Sequence, residues 1–196
     1  MTASLPRIPP LERPYPPETA EWLNKWMPPG AAREPLVLFR TLATHPEFTD
    51  RMRPLGAGIL GRSSRVDPRE RELVVAHTCA RCGCEYEWGV HVASLGAAAG
   101  LTPAAVRATV EADAGDPIWS NRERLLVRLV DALHDTQRIP DGLWRELTLA
   151  WSAEQLIELI VTVGWYHLIS FVANGLNLPP EPWAARWPVA RPHAAD

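Results

Sequence analysis

The stretch that decides the fold runs from Arg69 to Gly100, RERELVVAHTCARCGCEYEWGVHVASLGAAAG. It holds all three cysteines of the chain, Cys79, Cys82 and Cys84, together with His77, His91, Glu72, Glu85 and Glu87. Just ahead of it, Asp67-Pro68 is a helix start, an acid at the N-cap followed by proline at the first helical position. Leu73, Val74 and Ala76 supply an apolar face. Gly83 breaks the helix, and a second helix is predicted to begin near Cys84. On that helix Cys84, Glu87, Trp88 and His91 fall at i, i+3, i+4 and i+7, so they share one face. With Cys84 in the first turn, the helix dipole is expected to stabilise its thiolate and lower its pKa. Glu87 and His91 are one turn apart and able to exchange a proton. Glu72, on the preceding helix, reaches this face only if the two helices pack together.

The rest of the chain reads as helices around this pair. Glu18 to Met27 forms a short helix presenting Trp22 and Trp26, and Pro28-Pro29-Gly30 ends it. Leu36 to Thr44 is a helical run, and Pro46 opens a helix carrying Phe48, Met52 and Leu55 toward Leu60. Thr102-Pro103 repeats the cap-then-proline signal for a helix to Ala112. Ser120 caps an amphipathic helix with Leu125, Leu129, Ala132 and Leu133 inward. A further helix bears Leu143, Trp144 and Leu147. Ser152 to Gln155 is a capping box that starts a long apolar helix to about Ala173. No strand alternation stands out, so the predicted fold is all-α, a helical bundle with a central helical hairpin carrying the site.

Proline marks both ends. Pro6, Pro9, Pro10, Pro14, Pro16 and Pro17 preclude a helix interior before residue 17, and Pro179, Pro180, Pro182, Pro188 and Pro192 do the same after 178. The expected organisation is an N-terminal arm and short helix over 1–35, a helical domain over 36–178 and a tail over 179–196. Both ends carry tryptophan, so both are expected to pack on the body or on a partner.

With 196 residues the chain is long enough for a sizeable core. A formal charge of −3 with scattered arginine argues against nucleic-acid binding. No apolar stretch is read as approaching membrane-spanning length, and the N-terminus lacks a signal pattern, so no membrane partner is expected. Three clustered cysteines do not make a secreted disulfide framework, which points to a reducing cytoplasm.

The central stretch resembles the carboxymuconolactone decarboxylase and alkylhydroperoxidase D-like (AhpD-like) superfamily. Its peroxidase branch has a glutamate, a cysteine twelve residues on, and then Cys-x-x-Cys-x-x-x-His. Glu72, Cys84 and His91 match the glutamate, first cysteine and histidine at that spacing, and Glu87 stands where the second cysteine would be. Asp67 to Leu73, Glu85 to Trp88, Ala99-Gly100-Leu101 and Trp165-Tyr166-His167 resemble the decarboxylase-like branch, over roughly Leu36 to Leu178. The resemblance implies a helical fold, a homo-oligomer from dimer to hexamer, and no organic cofactor.

Glu72, Cys84, Glu87 and His91 are therefore the catalytic candidates, with Tyr86, Trp88 and His167 as substrate-binding candidates. Each has a plainer reading. Cys84 can be a small buried residue, His91 a satisfied core histidine, Glu72 a surface partner of Arg69 or Arg71, and His167 structural. Cys79 and Cys82 form a Cys-x-x-Cys out of register with the family motif, and a disulfide within one helical turn is strained. Cys79, Cys82, Cys84 and His91 offer four zinc-type ligands, but their spacing fits no common closed site and no metal is expected. Three functions follow in order. The first is acid/base chemistry, decarboxylation or isomerisation of a small organic acid or lactone, in which Cys84 polarises the substrate or donates a proton. The others are a thiol peroxidase working through Cys84 and a non-catalytic oligomeric binding protein.

Overall fold

The computed structural model describes residues 5–28 and 30–188. The described residues form ten α-helices: α1 (Pro17–Trp26), α2 (Val37–Leu42), α3 (Pro46–Thr49), α4 (Arg53–Leu60), α5 (Pro68–Arg81), α6 (Glu85–His91), α7 (Pro103–Glu111), α8 (Asn121–Thr136), α9 (Asp141–Ala150) and α10 (Ala153–Gly175). A π-helical turn, Val92–Gly96, continues α6. No strand occurs among the described residues.

Caps fix the helix starts. The Asp67 carboxylate accepts from the amides of Arg69 at 2.9 Å and Glu70 at 3.4 Å, and Thr102 accepts from Ala105 at 3.1 Å. Ser120 with Glu123 and Ser152 with Gln155 form full capping boxes. The expected helix from Pro46 to Leu60 is two helices instead. Pro54 has no amide for an interior hydrogen bond, so it sits in the first turn of a separate helix.

Helix α5 is the axis of the bundle. From Glu72 to Ala80 every residue is buried, and α5 packs against α10, α8, α6 and α7. Val75, Ala76, Cys79 and Ala80 enter one apolar cluster with Leu38, Trp88, Tyr166 and Ile169. Leu73 and Val74 enter a second with Leu126, Leu129, Leu147 and Leu159. A helix buried over its whole middle must be enclosed by others, and that enclosure sets the topology. The inward face of α8 is Leu126, Val127, Leu129 and Val130; the expected Leu125, Ala132 and Leu133 are only half-buried. On α9, Leu143 and Leu147 are buried while Trp144 is 42% exposed.

Helix α10 corrects the reading that no apolar stretch approaches membrane-spanning length. It has 23 residues, with a window of mean hydropathy 1.7. Half of that window is buried inside the protein, where α10 packs along α5, as a core helix does.

Both proline-rich ends lie on the body. The Arg7 amide donates to Leu176 O at 2.9 Å and the Leu11 amide to Arg40 O at 3.2 Å. At the other end Glu181 is buried, accepting from the Val37 amide at 2.6 Å and the Tyr86 hydroxyl at 2.7 Å. Trp187 packs on Trp88 with ring centroids 4.9 Å apart, and Trp183 lies under the Arg33 guanidinium. The parts of the arms at 1–4 and 189–196, including Pro192, lie outside the described residues.

The C-terminal strap crosses α6 at Gly89, whose carbonyl accepts from the Ala185 amide at 3.1 Å. A β-carbon at Gly89 would stand 2.2 Å from the Ala185 carbonyl oxygen, so the strap must lift to admit one. Gly89→Ala is expected to cost about 1–3 kcal/mol, the usual cost of overpacking. Hydrogen exchange should accelerate at Ala185 and Trp187 while the amides of α5 stay protected. Unchanged exchange in the strap would contradict this close approach.

Candidate active site

The hairpin closes because Gly83 takes a left-handed conformation, φ 62°, just after α5 ends. The chain then re-enters a helix with Cys84 as the N-cap of α6. This lays α6 against α5, so Glu72 faces His91. The His91 Nδ1–H donates to Glu72 Oε2 at 2.8 Å. Arg71 Nε donates to the other Glu72 oxygen at 3.2 Å. On the far side of the ring, His91 Nε2 is 3.0 Å from the Tyr166 hydroxyl and 3.4 Å from Glu87 Oε1. The His91 and Tyr166 rings meet edge to face at 4.9 Å. Glu72, Glu87 and His91 are 1%, 7% and 5% exposed.

The electrostatics follow from this enclosure. Burial disfavours a charged imidazole, but hydrogen bonds and Coulombic attraction from Glu72 and Glu87 outweigh it, and the His91 pKa is raised to about 9. Burial alone would raise Glu72; His91 and Arg71 together reverse that, holding it below the ordinary carboxylate range. Burial, followed by the Glu87 and Glu72 charges, pushes the Tyr166 phenol well up, so it keeps its proton. Glu87 Oε2 is buried with no hydrogen-bond partner among the described residues. The cluster thus offers a charged histidine, a neutral phenol and one uncommitted carboxylate oxygen at a single point.

Cys84 departs from the sequence reading. It is completely buried, and burial raises its pKa to about 12. The Glu87 amide and the Ser170 hydroxyl pull the other way, but neither closes a full hydrogen bond on the sulfur, and the Glu87 carboxylate adds to the rise. Desolvation at this depth exceeds what one short helix's dipole returns, so the expected lowering is overturned. Cys79, also fully buried, is pushed well up, and Cys82 is raised mainly by burial.

All three substrate-binding candidates have their partners away from His91. Tyr86 is buried between α6 and the strap, donating to Glu181 and accepting from the Leu38 amide at 2.9 Å. Trp88 donates its Nε1–H to Thr109 Oγ1 at 3.0 Å and packs on Trp187. His167 projects from a different face of α10, its Nδ1–H donating to Val163 O at 2.9 Å and its Nε2 lying 2.9 Å from His134 Nδ1. The aromatic residue that does meet His91 is Tyr166, one position earlier. Its signal was present in the Trp165-Tyr166-His167 triplet, but α10 is apolar nearly all round, so periodicity does not say which residue turns inward. Cys79, Cys82, Cys84 and His91 do not gather as a ligand set. Among the described residues the group that does is Cys82, His134 and His167.

Two cavities lie elsewhere. One of about 360 Å³ is bounded by Tyr15, Leu23, Met27 and Arg33 at the N-terminal arm. The other, about 300 Å³, lies between α4 and α10 beside Leu55, Ile59, Ile157 and Val161. Neither contains Glu72, Glu87 or His91.

An all-helical bundle with a buried carboxylate–histidine relay on its central hairpin defines the class. Residues 46–130 match the model of the carboxymuconolactone decarboxylase family. Over those residues the chain is similar to that family, and its all-helical fold is shared with two solved structures. An uncharacterized peroxidase-related protein from Silicibacter sp. TM1040 has a similar structure, with a TM-score of 0.77 at 17% identity over 93% of this chain and 95% of that one. A protein of unknown function from Agrobacterium tumefaciens, for which an AhpD antioxidant-defence role has been put forward, aligns with a TM-score of 0.65 at 20% identity over 71% of this chain and 94% of that one. No curated protein matches the chain.

The relay predicts a pH dependence of stability. A histidine whose folded pKa lies above its ordinary 6.5 contributes stability that is complete below 6.5 and lost as pH rises through about 9. The loss is at most roughly 3 kcal/mol, at about 1.4 kcal/mol per pH unit. Glu72, lowered, acts oppositely, and its contribution disappears only as pH falls below about 4.5. Urea unfolding across this alkaline range should show the decline in the native protein and a flatter profile in His91→Gln.

Proposed function

We propose that the protein is a cofactor-independent acid/base enzyme that decarboxylates or isomerises a small organic acid or lactone. The observation that supports this is His91 held between two carboxylates, with Glu87 Oε2 buried and uncommitted. Glu87 is the base. For isomerisation it takes a proton from carbon next to a carbonyl, and the electron pair moves onto the carbonyl oxygen. The Tyr166 hydroxyl and the His91 Nε2–H stabilise the enolate, and the proton returns at another carbon. For decarboxylation the carbon–carboxylate bond breaks, carbon dioxide leaves, and the enolate is protonated from the His91 side. Glu72 keeps Nδ1 protonated and the ring oriented, and Arg71 keeps Glu72 ionised. Cys84 donates no proton in this scheme, because its thiol is too weak an acid to exchange near neutrality.

The second reading, peroxide reduction, is favoured by the names of the two structural relatives, one peroxidase-related and one linked to antioxidant defence. Against it stands the thiol. With a pKa of about 12, only on the order of one Cys84 in 10⁵ is thiolate at neutral pH. Glu87 also cannot close a disulfide.

Self-association and a reducing, cytoplasmic setting belong to the same proposal. Ile157, Val161, Leu168 and Phe171 expose an apolar stripe along α10 suited to a second copy of the chain, and all three cysteines are free.

The test is a screen of β-keto acids and unsaturated lactones alongside alkyl hydroperoxide with a dithiol donor. On an accepted acid or lactone, Glu72→Gln and His91→Ala should each lower kcat/KM by about 10²–10⁴-fold, while Cys84→Ser changes it less than about threefold. Robust peroxide turnover abolished by Cys84→Ser would replace this reading with the second.

A further inference from the structure

We propose that Cys82, His134 and His167 form a binding site for a zinc-type divalent cation, separate from the His91 relay. The three residues come from the end of α5, the last turn of α8 and the middle of α10. One ligand atom from each lies within 4.8 Å of the others, and all three residues are half-buried. A thiol and two imidazoles are the donor set of choice for zinc and its neighbours in the first transition row.

The arrangement is prepared for a metal in two respects. First, the His167 ring is held by its Nδ1–H···O=C bond to Val163, so the Nε2 lone pair points at the cluster. A backbone carbonyl in this position is the usual outer support of a metal-bound histidine. Second, Arg81 is already engaged with Asp131 at 3.4 Å and with Asp135, which offsets its repulsion of a second positive charge.

Without metal, the two ring nitrogens share one proton across 2.9 Å. Binding requires His134 to carry its proton on Nε2, freeing Nδ1. It also requires the Cys82 thiol to lose its proton to solvent as the sulfur bonds the cation. Tetrahedral geometry at zinc–nitrogen distances of about 2.0–2.1 Å sets two nitrogens roughly 3.3 Å apart. The histidine pair must therefore open by a few tenths of an ångström, and a rotation of Cys82 brings the sulfur in. Three protein ligands leave a fourth position for water or a small anion. No local pattern in the sequence advertises this site, because its ligands sit on three separate helices.

The experiment is titration of the reduced full chain, free of added histidines, with Co²⁺ as the spectroscopic stand-in and then with Zn²⁺. One equivalent of Co²⁺ should give a sulfur-to-cobalt charge-transfer band and intense visible bands of tetrahedral cobalt, and Zn²⁺ should displace both. Cys82→Ser should abolish the charge-transfer band, and Cys84→Ser should leave it intact. His134→Ala and His167→Gln should each weaken binding at least about tenfold; the glutamine variant keeps a polar side chain of similar reach in case alanine disturbs packing. Absence of a saturable cobalt spectrum from the wild-type chain, or a charge-transfer band that survives Cys82→Ser, would overturn the proposal.

Discussion

A helix buried on every side cannot leave a charge unpaired, and α5 is such a helix. It carries Glu70, Glu72 and His77 into the interior, each among apolar neighbours. Uncompensated, each would cost several kcal/mol. Each is answered by a different neighbour. Glu70 pairs with Arg122 on α8 and accepts from Trp151 Nε1 at 2.8 Å, next to the end of α9. Glu72 takes His91 on α6, while His77 meets Thr109 O on α7 and Asp131 on α8, both at 3.0 Å. Apolar burial drives the helices together without direction. These polar pairs state which helix goes where, since a wrong neighbour would leave a buried carboxylate alone.

The candidate site is one member of that set, used differently. Glu70 has both oxygens committed, and its role ends with anchoring. Glu72 has both committed as well, but one partner is an ionisable ring whose far nitrogen faces Tyr166 and Glu87. In the proposed mechanism the anchoring bond between α5 and α6 is thereby also the bond that orients a proton donor. Rigidity at the α5 end and an uncommitted Glu87 oxygen at the other are what a relay requires: a fixed ring and a free acceptor.

Much of this was legible in the sequence. Caps at Asp67, Thr102, Ser120 and Ser152 are local chemistry, and local chemistry is what a sequence states directly. The i, i+4 spacing of Glu87 and His91 put them on one face, and the eleven residues between Glu72 and Cys84 allowed the hairpin to bring Glu72 to His91. What escaped depended on facts that no short window holds. The inward face of α10 is chosen by α5 and α6 rather than by its own pattern, so the sequence does not distinguish Tyr166 from His167 as the residue that meets His91. Tyr86 looked like a pocket residue because its partner, Glu181, lies 95 positions away. The Cys84 thiol was assigned by its place at a helix start, whereas its acidity is decided by the depth of the tertiary packing around it.

The three cysteines show how one glycine divides chemistry. Cys79, Cys82 and Cys84 are close in sequence and would read as one reactive cluster. Gly83, at φ 62°, reverses the chain between the last two. Cys84 is turned under α6 and sealed, with its amide donating to Cys79 O at 2.9 Å. Cys82 stays at the end of α5, half-buried, facing His134 and His167. Both thiols still approach the Ser170 hydroxyl on α10, so the proposed acid/base site and the proposed metal site share a backbone turn and a neighbour without sharing a ligand. The left-handed turn that closes the hairpin over Glu72 thus follows a half-buried Cys82 and precedes a sealed Cys84.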